Sequence, residues 1–184
     1  MVSMRRTNDA ELLLGEWACL GILYAAPSHG FAIAARLRPT GDVGRVWSLT
    51  RPLTYRSLDQ LQARGYIQPI GEEPGIAGGN RTILAATRVG RLRLRKWLRT
   101  PVMHLRDIRS ELLLKLVLAD ICRIDLASML ERQHEHIAQL IGVQAASGGM
   151  ATDVVALWRA ETARAALRFV AHVLTVRSAG EVLP

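Results

Sequence analysis

The chain has 184 residues, of which 49% are hydrophobic, and it carries a formal net charge of +8 at pH 7. This length suits one medium domain or two small ones, and the hydrophobic content is ample for a folded core. Two isolated cysteines, Cys19 and Cys122, exclude a disulfide framework and a zinc-binding spacing, and they indicate reduced thiols in a cytosolic protein.

The positive charge is confined to the first part of the chain. Residues 1–100 contain 15 Arg or Lys against 7 Asp or Glu, whereas residues 101–184 contain 9 of each kind. This division predicts that the front half binds a polyanion while the rear half has another role. Only Lys96 and Lys115 are lysines among the 24 basic residues. Arginine binds phosphate and base edges bidentately, but a GC-rich genome produces the same bias, so the charge supports nucleic-acid binding without proving it.

One uncharged stretch, Trp17 to Ala35, has the length of a membrane span. Its centre is the turn signal Pro27-Ser28-His29-Gly30, which would break a helix at the bilayer midplane. Asp9, Glu11 and Glu16 precede the stretch, a pattern that does not fit a signal peptide. We therefore expect a soluble, cytoplasmic protein that does not bind membranes.

The N-terminal half has the element order of a winged helix-turn-helix, in which three helices are followed by a β-hairpin. Apolar periodicity and turn signals predict helices over Asp9–Ala26, Phe31–Leu37 and Arg51–Arg64, and strands over Tyr66–Gly71 and Arg81–Ala86. In the first helix Leu13, Trp17, Leu20, Gly21 and Tyr24 fall on one face at helical spacing. The polar, glycine-rich segment 72–80 between the strands suits the tip of a wing.

The stretch VWSLTRPLTYRSLDQLQARGYI (46–67) is the most informative part of the chain. Thr54, Leu58 and Leu61 share one stripe of the predicted third helix, and the opposite side carries Arg, Gln and Tyr side chains. Thr50 is the predicted N-cap, and Gly65 is placed to end the helix. Such a helix suits insertion into a major groove, although the pattern alone also fits an ordinary amphipathic surface helix.

The polar side of this region supplies the predicted DNA contacts. Arg56 and Gln60 lie one turn apart on the face away from the apolar stripe, and we predict that they reach base edges. Other residues are predicted mainly to hold phosphates, and these are Thr50, Arg51, Tyr55 and Arg81. Ser48, just before the helix, completes the predicted DNA-binding set.

Residues 101–184 are predicted to form a helical dimerisation domain, and residues 1–100 the DNA-binding domain. Helices are expected over Glu111–Cys122, Asp125–Gln144 and Thr152–Arg177. The last helix carries a seam with alternating spacings of three and four, formed by Val155, Trp158, Thr162, Ala165, Phe169, His172 and Val176. We predict that this seam forms a homodimer interface, although packing within its own domain would give the same pattern.

Four segments resemble, in the same order, the PadR family of bacterial transcriptional regulators. They are APSHGFAIAARL (26–37), VWSLTRPLTYRSLDQLQARGYI (46–67), TRVGRLRLRKWL (87–98) and ELLLKLVLAD (111–120). Family members usually have an apolar residue where this chain has Thr54. The resemblance implies a winged helix that binds operator DNA and C-terminal helices through which the protein dimerises. The resemblance also implies repression that is relieved by a small molecule, as in many members of the family.

A small hydrophobic or aromatic effector is the predicted signal, since the sequence offers no recognisable metal site and no reactive cysteine pair. Trp97 and Trp158 are predicted to hold this effector between the winged domain and the C-terminal helices. The segment ERQHEH (131–136) invites a metal-site interpretation, but it completes neither a di-iron nor a zinc-protease spacing. A solvated helix face is expected there instead, and no cofactor is predicted.

The sequence thus predicts a mainly α, dimeric winged-helix transcriptional regulator without catalytic activity. A winged helix of the multiple-antibiotic-resistance type, flanked by helices on both sides, is the alternative within the same class. A helical protein-interaction module, whose winged helix contacts protein instead of DNA, is an alternative of a different class, and an enzyme is the third. The neutral rear half and the Arg, Gln and Tyr face of the third helix favour DNA over the interaction module.

Overall fold

The structure is a computed structural model that describes residues 11–75, 79–146 and 153–178. Its elements, in chain order, are α1 (Leu14–Ala25), β1 (Ser28–His29), α2 (Gly30–Arg36), α3 (Arg51–Ala63), β2 (Ile67–Pro74), β3 (Asn80–Ala86), α4 (Arg88–Leu98), a 3-10 turn (Leu105–Asp107), a π-helical turn (Ile108–Leu112), α5 (Leu113–Cys122), α6 (Ala127–Ala146) and α7 (Val154–Ser178). The predicted start of the first helix at residues 9–10 and the centre of the glycine-rich segment lie outside the described residues. The predicted winged helix-turn-helix followed by C-terminal helices is confirmed.

The first helix is the central element of the core, and its burial extends well beyond the face that the spacing indicates. Every residue of α1 from Gly15 to Tyr24 is buried, because the helix contacts α3 on one side and α5 on another. A helix that is apolar all round is buried all round. The helix begins at Leu14 rather than Asp9, and the predicted face residue Leu13 is 72% exposed. The Glu16 carboxylate accepts the Leu13 N–H at 2.8 Å and so satisfies one of the unpaired donors at the start of the helix.

The wing belongs to a three-stranded antiparallel sheet in the order β1-β3-β2. Strand β1 was not predicted, since two residues, Ser28 and His29, are too short for a periodic signal. They pair with Leu84 and Ile83 of β3. Strand β2 extends to Pro74, three residues beyond the predicted end, and its pairing with β3 is irregular between Pro69 and Gly71. The short strand β1 therefore ties the start of α2 to the base of the wing.

Helix α3 has the predicted buried stripe, formed by Thr54, Leu58 and Leu61. The Thr50 side chain makes no capping hydrogen bond, contrary to prediction, but the Thr50 carbonyl accepts the Thr54 N–H at 2.9 Å and the Thr54 hydroxyl at 3.1 Å. This second bond explains how a polar side chain occupies the core stripe. Gly65 has a φ of +70° after the helix, as its predicted role at the helix end requires.

The C-terminal half is helical as predicted. One face of α6 is largely buried: Leu126, Met129, Leu130, Gln133 and Ile137 are buried, whereas Leu140 and Ile141 are half-buried. Helix α7 packs against α6. Its buried residues within the chain are Ala163, Ala166, Val170 and Val173, and none of them belongs to the predicted seam.

The segment between α4 and the 3-10 turn, which we call the linker, is hydrogen-bonded to side chains of the C-terminal helices. Its carbonyl groups accept four hydrogen bonds from α5 and α6. These join Lys115 Nζ to Thr100 O (2.7 Å), Arg132 Nη2 to Arg99 O (2.9 Å), Gln133 Nε2 to Val102 O (2.9 Å) and His136 Nε2 to Met103 O (2.9 Å). Gln133 Oε1 also accepts the Val102 N–H at 2.6 Å. The buried Gln133 amide thus satisfies both backbone groups of Val102, and this pair of hydrogen bonds fixes the linker in place.

Candidate nucleic-acid interface

The outward side of α3 is bounded by two different flanks. Arg56 and Gln60 are exposed and line a groove of about 750 Å³ between α3, the start of α1 and the loop before α3. The apolar residues Leu13, Trp47 and Leu53 also line this groove. The buried stripe of α3 faces α1, so Arg56 points away from the core. The structure therefore brings together the two residues predicted to reach base edges, on one exposed side of α3.

The opposite flank carries a cluster of arginine and aromatic side chains, which we call the Phe31 cluster and which consists of Phe31, Arg51, Tyr55 and Arg81. The Arg51 guanidinium carbon lies 5.5 Å from the centroid of the Phe31 ring and 5.7 Å from that of Tyr55. The Arg81 guanidinium carbon lies 5.9 Å from the Phe31 centroid. Three elements, α2, α3 and β3, thus contribute to one cationic group of side chains, in which Arg81 is half-buried and the other three are exposed.

Local geometry explains why these elements meet. Gly30 precedes Phe31, and a Cβ at Gly30 would lie 2.8 Å from Tyr55 Cε1, so only glycine leaves room for that ring. His29 caps α2, since its Nδ1 accepts the Ala32 N–H at 3.1 Å. His29 Nε2 lies 3.3 Å from Glu73 Oε1 and 3.5 Å from Arg81 Nη1. The cap of α2 and the second wing strand are therefore linked through one imidazole.

The seven sequence-predicted DNA-binding residues lie on α3, on the loop before it and on β3. Ser48 and Thr50 are exposed and line a smaller groove of about 330 Å³ together with Phe31 and Arg51. Phe31 was not predicted as a site residue, although the His-Gly-aromatic motif contained a signal for it. Glu73 was missed as well, and no pattern in the sequence indicates that it faces His29.

A cavity of about 590 Å³ lies between α4, the linker and the π-helical turn, and Trp97 forms part of its wall. The Trp97 ring stacks on Trp17 with a centroid separation of 4.6 Å and an interplanar angle of 9°. The Lys115 ammonium lies 4.8 Å from the Trp97 centroid and 2.7 Å from a Glu111 carboxylate oxygen. Burial lowers the pKa of Lys115, and the hydrogen bond to Glu111 opposes that shift.

Trp158 does not line this cavity. It lies in the second turn of α7 and is 70% exposed. The two tryptophans predicted to share an effector therefore do not share this cavity.

The predicted dimer seam of α7 is accessible. Val155 is 47% exposed, and Ala165 and His172 are also exposed. The remaining seam residues, Thr162, Phe169 and Val176, are half-buried. The seam flanks the buried stripe of α7, and Phe169 also packs against the core of the chain.

Neither cysteine thiol is expected to be reactive at neutral pH. Burial raises the pKa of the Cys19 thiol to about 12, and burial likewise raises the pKa of the Cys122 thiol to about 12. A thiol with such a pKa carries almost no thiolate at neutral pH and reacts slowly. Within residues 11–75, 79–146 and 153–178, no three His, Cys, Asp or Glu side chains converge as metal ligands. No helix in the described part of the chain is long and apolar enough to cross a membrane.

No protein-family model matches the chain, and no curated protein does. Solved structures do match it. The crystal structure of Bacillus subtilis PadR in complex with operator DNA has a TM-score of 0.43 and 17% sequence identity, over 88% of this chain and 97% of that chain. The crystal structure of smu.1604c from Streptococcus mutans UA159 has a TM-score of 0.43 and 16% identity, over 89% of this chain and 99% of that chain.

Proposed function

We propose that the chain is a sequence-specific DNA-binding transcriptional regulator, a repressor that acts in the cytoplasm as a homodimer on an inverted-repeat operator. The observation that carries this proposal is the joint exposure of the polar face of α3 and the Phe31 cluster on a winged helix. Arginine side chains from α3 and from the second wing strand are the groups that bind DNA phosphates and base edges. The sequence resemblance to PadR regulators supports the same function.

Roles within the interface follow from position on α3. Arg56 and Gln60 lie on its outward face, where side chains of an inserted helix reach base edges. Arg51 and Tyr55 lie toward the wing, and Arg81 belongs to the wing itself, so we assign them to phosphates. Ser48 and Thr50 are exposed just before α3 and are assigned to the backbone as well. DNA binding is thus assigned to residues 1–100.

Arg56→Ala is expected to lower affinity for the operator by about 1–3 kcal/mol and to relax the preference at one base pair. Arg81→Ala is expected to weaken binding to all duplexes equally. Arg109→Ala removes the same charge from an exposed position in the C-terminal half and serves as the control. Fluorescence anisotropy with the DNA that flanks the chain's own coding region, and with a shuffled duplex of equal composition, measures all three. An Arg56→Ala chain that keeps the wild-type sequence preference would contradict the assignment to bases.

Dimerisation is assigned to residues 101–184, chiefly through the α7 seam. Two winged domains held by such a dimer would place two α3 helices on one face of a duplex, roughly 34–36 Å apart. Because each half-site alone binds weakly, the seam contributes to operator affinity without touching DNA.

A small hydrophobic or aromatic effector is proposed to bind in the cavity lined by Trp97. The linker that joins the two halves forms part of the same wall, through Thr100 and Val102. A ligand in this position can favour one arrangement of the winged domain over another if it binds one arrangement more tightly. Trp158 does not line this cavity, so we assign the effector to Trp97 alone.

The effector proposal predicts that planar hydrophobic compounds quench tryptophan fluorescence and lower operator affinity over the same concentration range. Trp97→Leu should abolish both responses, whereas Trp158→Leu should leave the response of this cavity unchanged. The measurement is a parallel titration of fluorescence and of anisotropy with labelled operator. Quenching that leaves operator binding unmoved across a panel of compounds would show that this switch is wrong.

A further inference from the structure

Phe31 is an unusual residue for an exposed, cationic surface. Its side chain is 45% exposed, while two nearby residues of α2, Ile33 and Ala34, are buried and supply the packing of the helix. The ring instead lies beside two guanidinium groups that come from separate elements, Arg51 at 5.5 Å and Arg81 at 5.9 Å. Core packing therefore does not explain the aromatic ring.

A ring beneath a guanidinium group occupies its face and leaves its N–H edges available. Those edges form the two parallel hydrogen bonds with which arginine binds a phosphate. The ring also restricts a long, flexible side chain before DNA arrives, which reduces the entropy cost of binding. Tyr55 adds a second ring beside Arg51, at 5.7 Å.

We infer that Phe31 is a positioning residue of the DNA interface, whose ring holds Arg51 and Arg81 so that both guanidinium groups bind backbone phosphates along one stretch of the duplex. This inference rests on the proposed function and adds to it a residue that does not itself read bases. The Phe31 cluster then contributes to affinity for any duplex, whereas the outward face of α3 determines the sequence preference.

The acidic residues beside the cluster give the inference a second, oppositely directed consequence. Glu73 pairs with Arg81 across the two wing strands, and its carboxylate lies 3.3 Å from His29 Nε2. Asp59 lines a cavity of about 540 Å³ together with Phe31 and Arg81. A phosphate bound by Arg81 would approach the Glu73 carboxylate, so removal of that charge should strengthen binding. No such gain is expected if DNA lies elsewhere.

The experiment compares Phe31→Leu, Phe31→Tyr and Glu73→Gln with the wild-type full-length chain by anisotropy at several salt concentrations. Leucine keeps an apolar side chain but removes the aromatic face. Phe31→Leu is expected to weaken binding about 5- to 20-fold on operator and shuffled DNA alike, because neither guanidinium group is then held by a ring. The slope of log affinity against log salt should become shallower by about 1 for each phosphate that is no longer bound. Phe31→Tyr should keep the wild-type affinity and the wild-type salt slope. The Glu73→Gln chain should bind DNA about 2- to 5-fold more tightly than wild type.

Two further variants keep the inference falsifiable. In an Arg51→Ala, Arg81→Ala background, Phe31→Leu should have no further effect, because the ring acts through those arginines. Leu92→Ala is the control, since Leu92 is 57% exposed on α4 and should bind as wild type. An equal weakening in both backgrounds, or a Phe31→Leu chain with wild-type affinity and salt slope, would overturn the inference. A wild-type chain that binds no duplex would instead reject the proposed function.

Discussion

Replacing Trp158 with glutamate is expected to convert the proposed dimer to a monomer and to lower operator affinity about 10²–10⁴-fold. Trp158 is 70% exposed at the accessible end of the α7 seam, so the substitution does not disturb packing within the chain. A buried, unpaired carboxylate at a subunit interface is strongly unfavourable. The decrease in affinity then reflects the separation of two half-site contacts, each weak by itself.

The control for this prediction is Leu92→Glu. Leu92 is likewise an exposed apolar residue on a helix, but it lies on α4. Light scattering coupled to gel filtration gives the oligomeric state, and anisotropy gives the affinity. A Trp158→Glu chain that remains dimeric and binds DNA normally would place the dimer interface away from this seam.

Gly90→Ala is expected to destabilise the winged domain by about 3 kcal/mol, which for a chain of this size lowers the melting temperature by roughly 6–12 °C. A Cβ at Gly90 would lie 2.1 Å from the carbonyl oxygen of Tyr66, a backbone atom that cannot rotate away. That carbonyl already accepts the Thr87 N–H at 2.9 Å. The substitution therefore separates the start of α4 from the base of the wing.

Gly71→Ala provides the matched comparison, because nothing lies within 4 Å of a Cβ at Gly71. Its effect on the free energy of unfolding should stay within about 0.5 kcal/mol. Thermal unfolding followed by circular dichroism measures both variants. Equal melting temperatures for the two would contradict the close approach of α4 to Tyr66.

The sequence predicts best those features that repeat at a fixed spacing. The stripe of Thr54, Leu58 and Leu61 was visible because three core positions recur at helical intervals within one element. For α1 the same reasoning was incomplete, because every position from Gly15 to Tyr24 is buried. A period marks one face, but only the neighbouring elements determine how many faces are covered.

Features that depend on distant partners were not predictable. Strand β1 exists because Ser28 and His29 pair with a strand more than fifty residues later. The proximity of Phe31 to Arg81 depends on the same pairing. The burial of the Lys115 ammonium likewise depends on other elements, since it lies against Trp97 and the Thr100 carbonyl.

The residues of the candidate site also divide into those that the pattern of one helix predicts and those that depend on distant parts of the chain. Residues of α3 could be assigned from its polar face alone, since burial of the opposite stripe fixes which side is outward. The neighbours of that face, Phe31 and Glu73, come from α2 and β2 and required the fold. Trp97 and Trp158 looked equivalent in the sequence, but one is stacked on Trp17 and the other is exposed to solvent.

The most direct test of the proposed function is selection of bound duplexes from a random-sequence DNA library by the full-length chain. A dimeric winged-helix regulator should enrich an inverted repeat whose half-sites are centred about 10–10.5 base pairs, or a multiple of that spacing, apart. The Arg56→Ala chain should enrich the same repeat with one position relaxed. Recovery of an unenriched library at physiological salt would contradict sequence-specific recognition and would favour a protein partner for the winged helix.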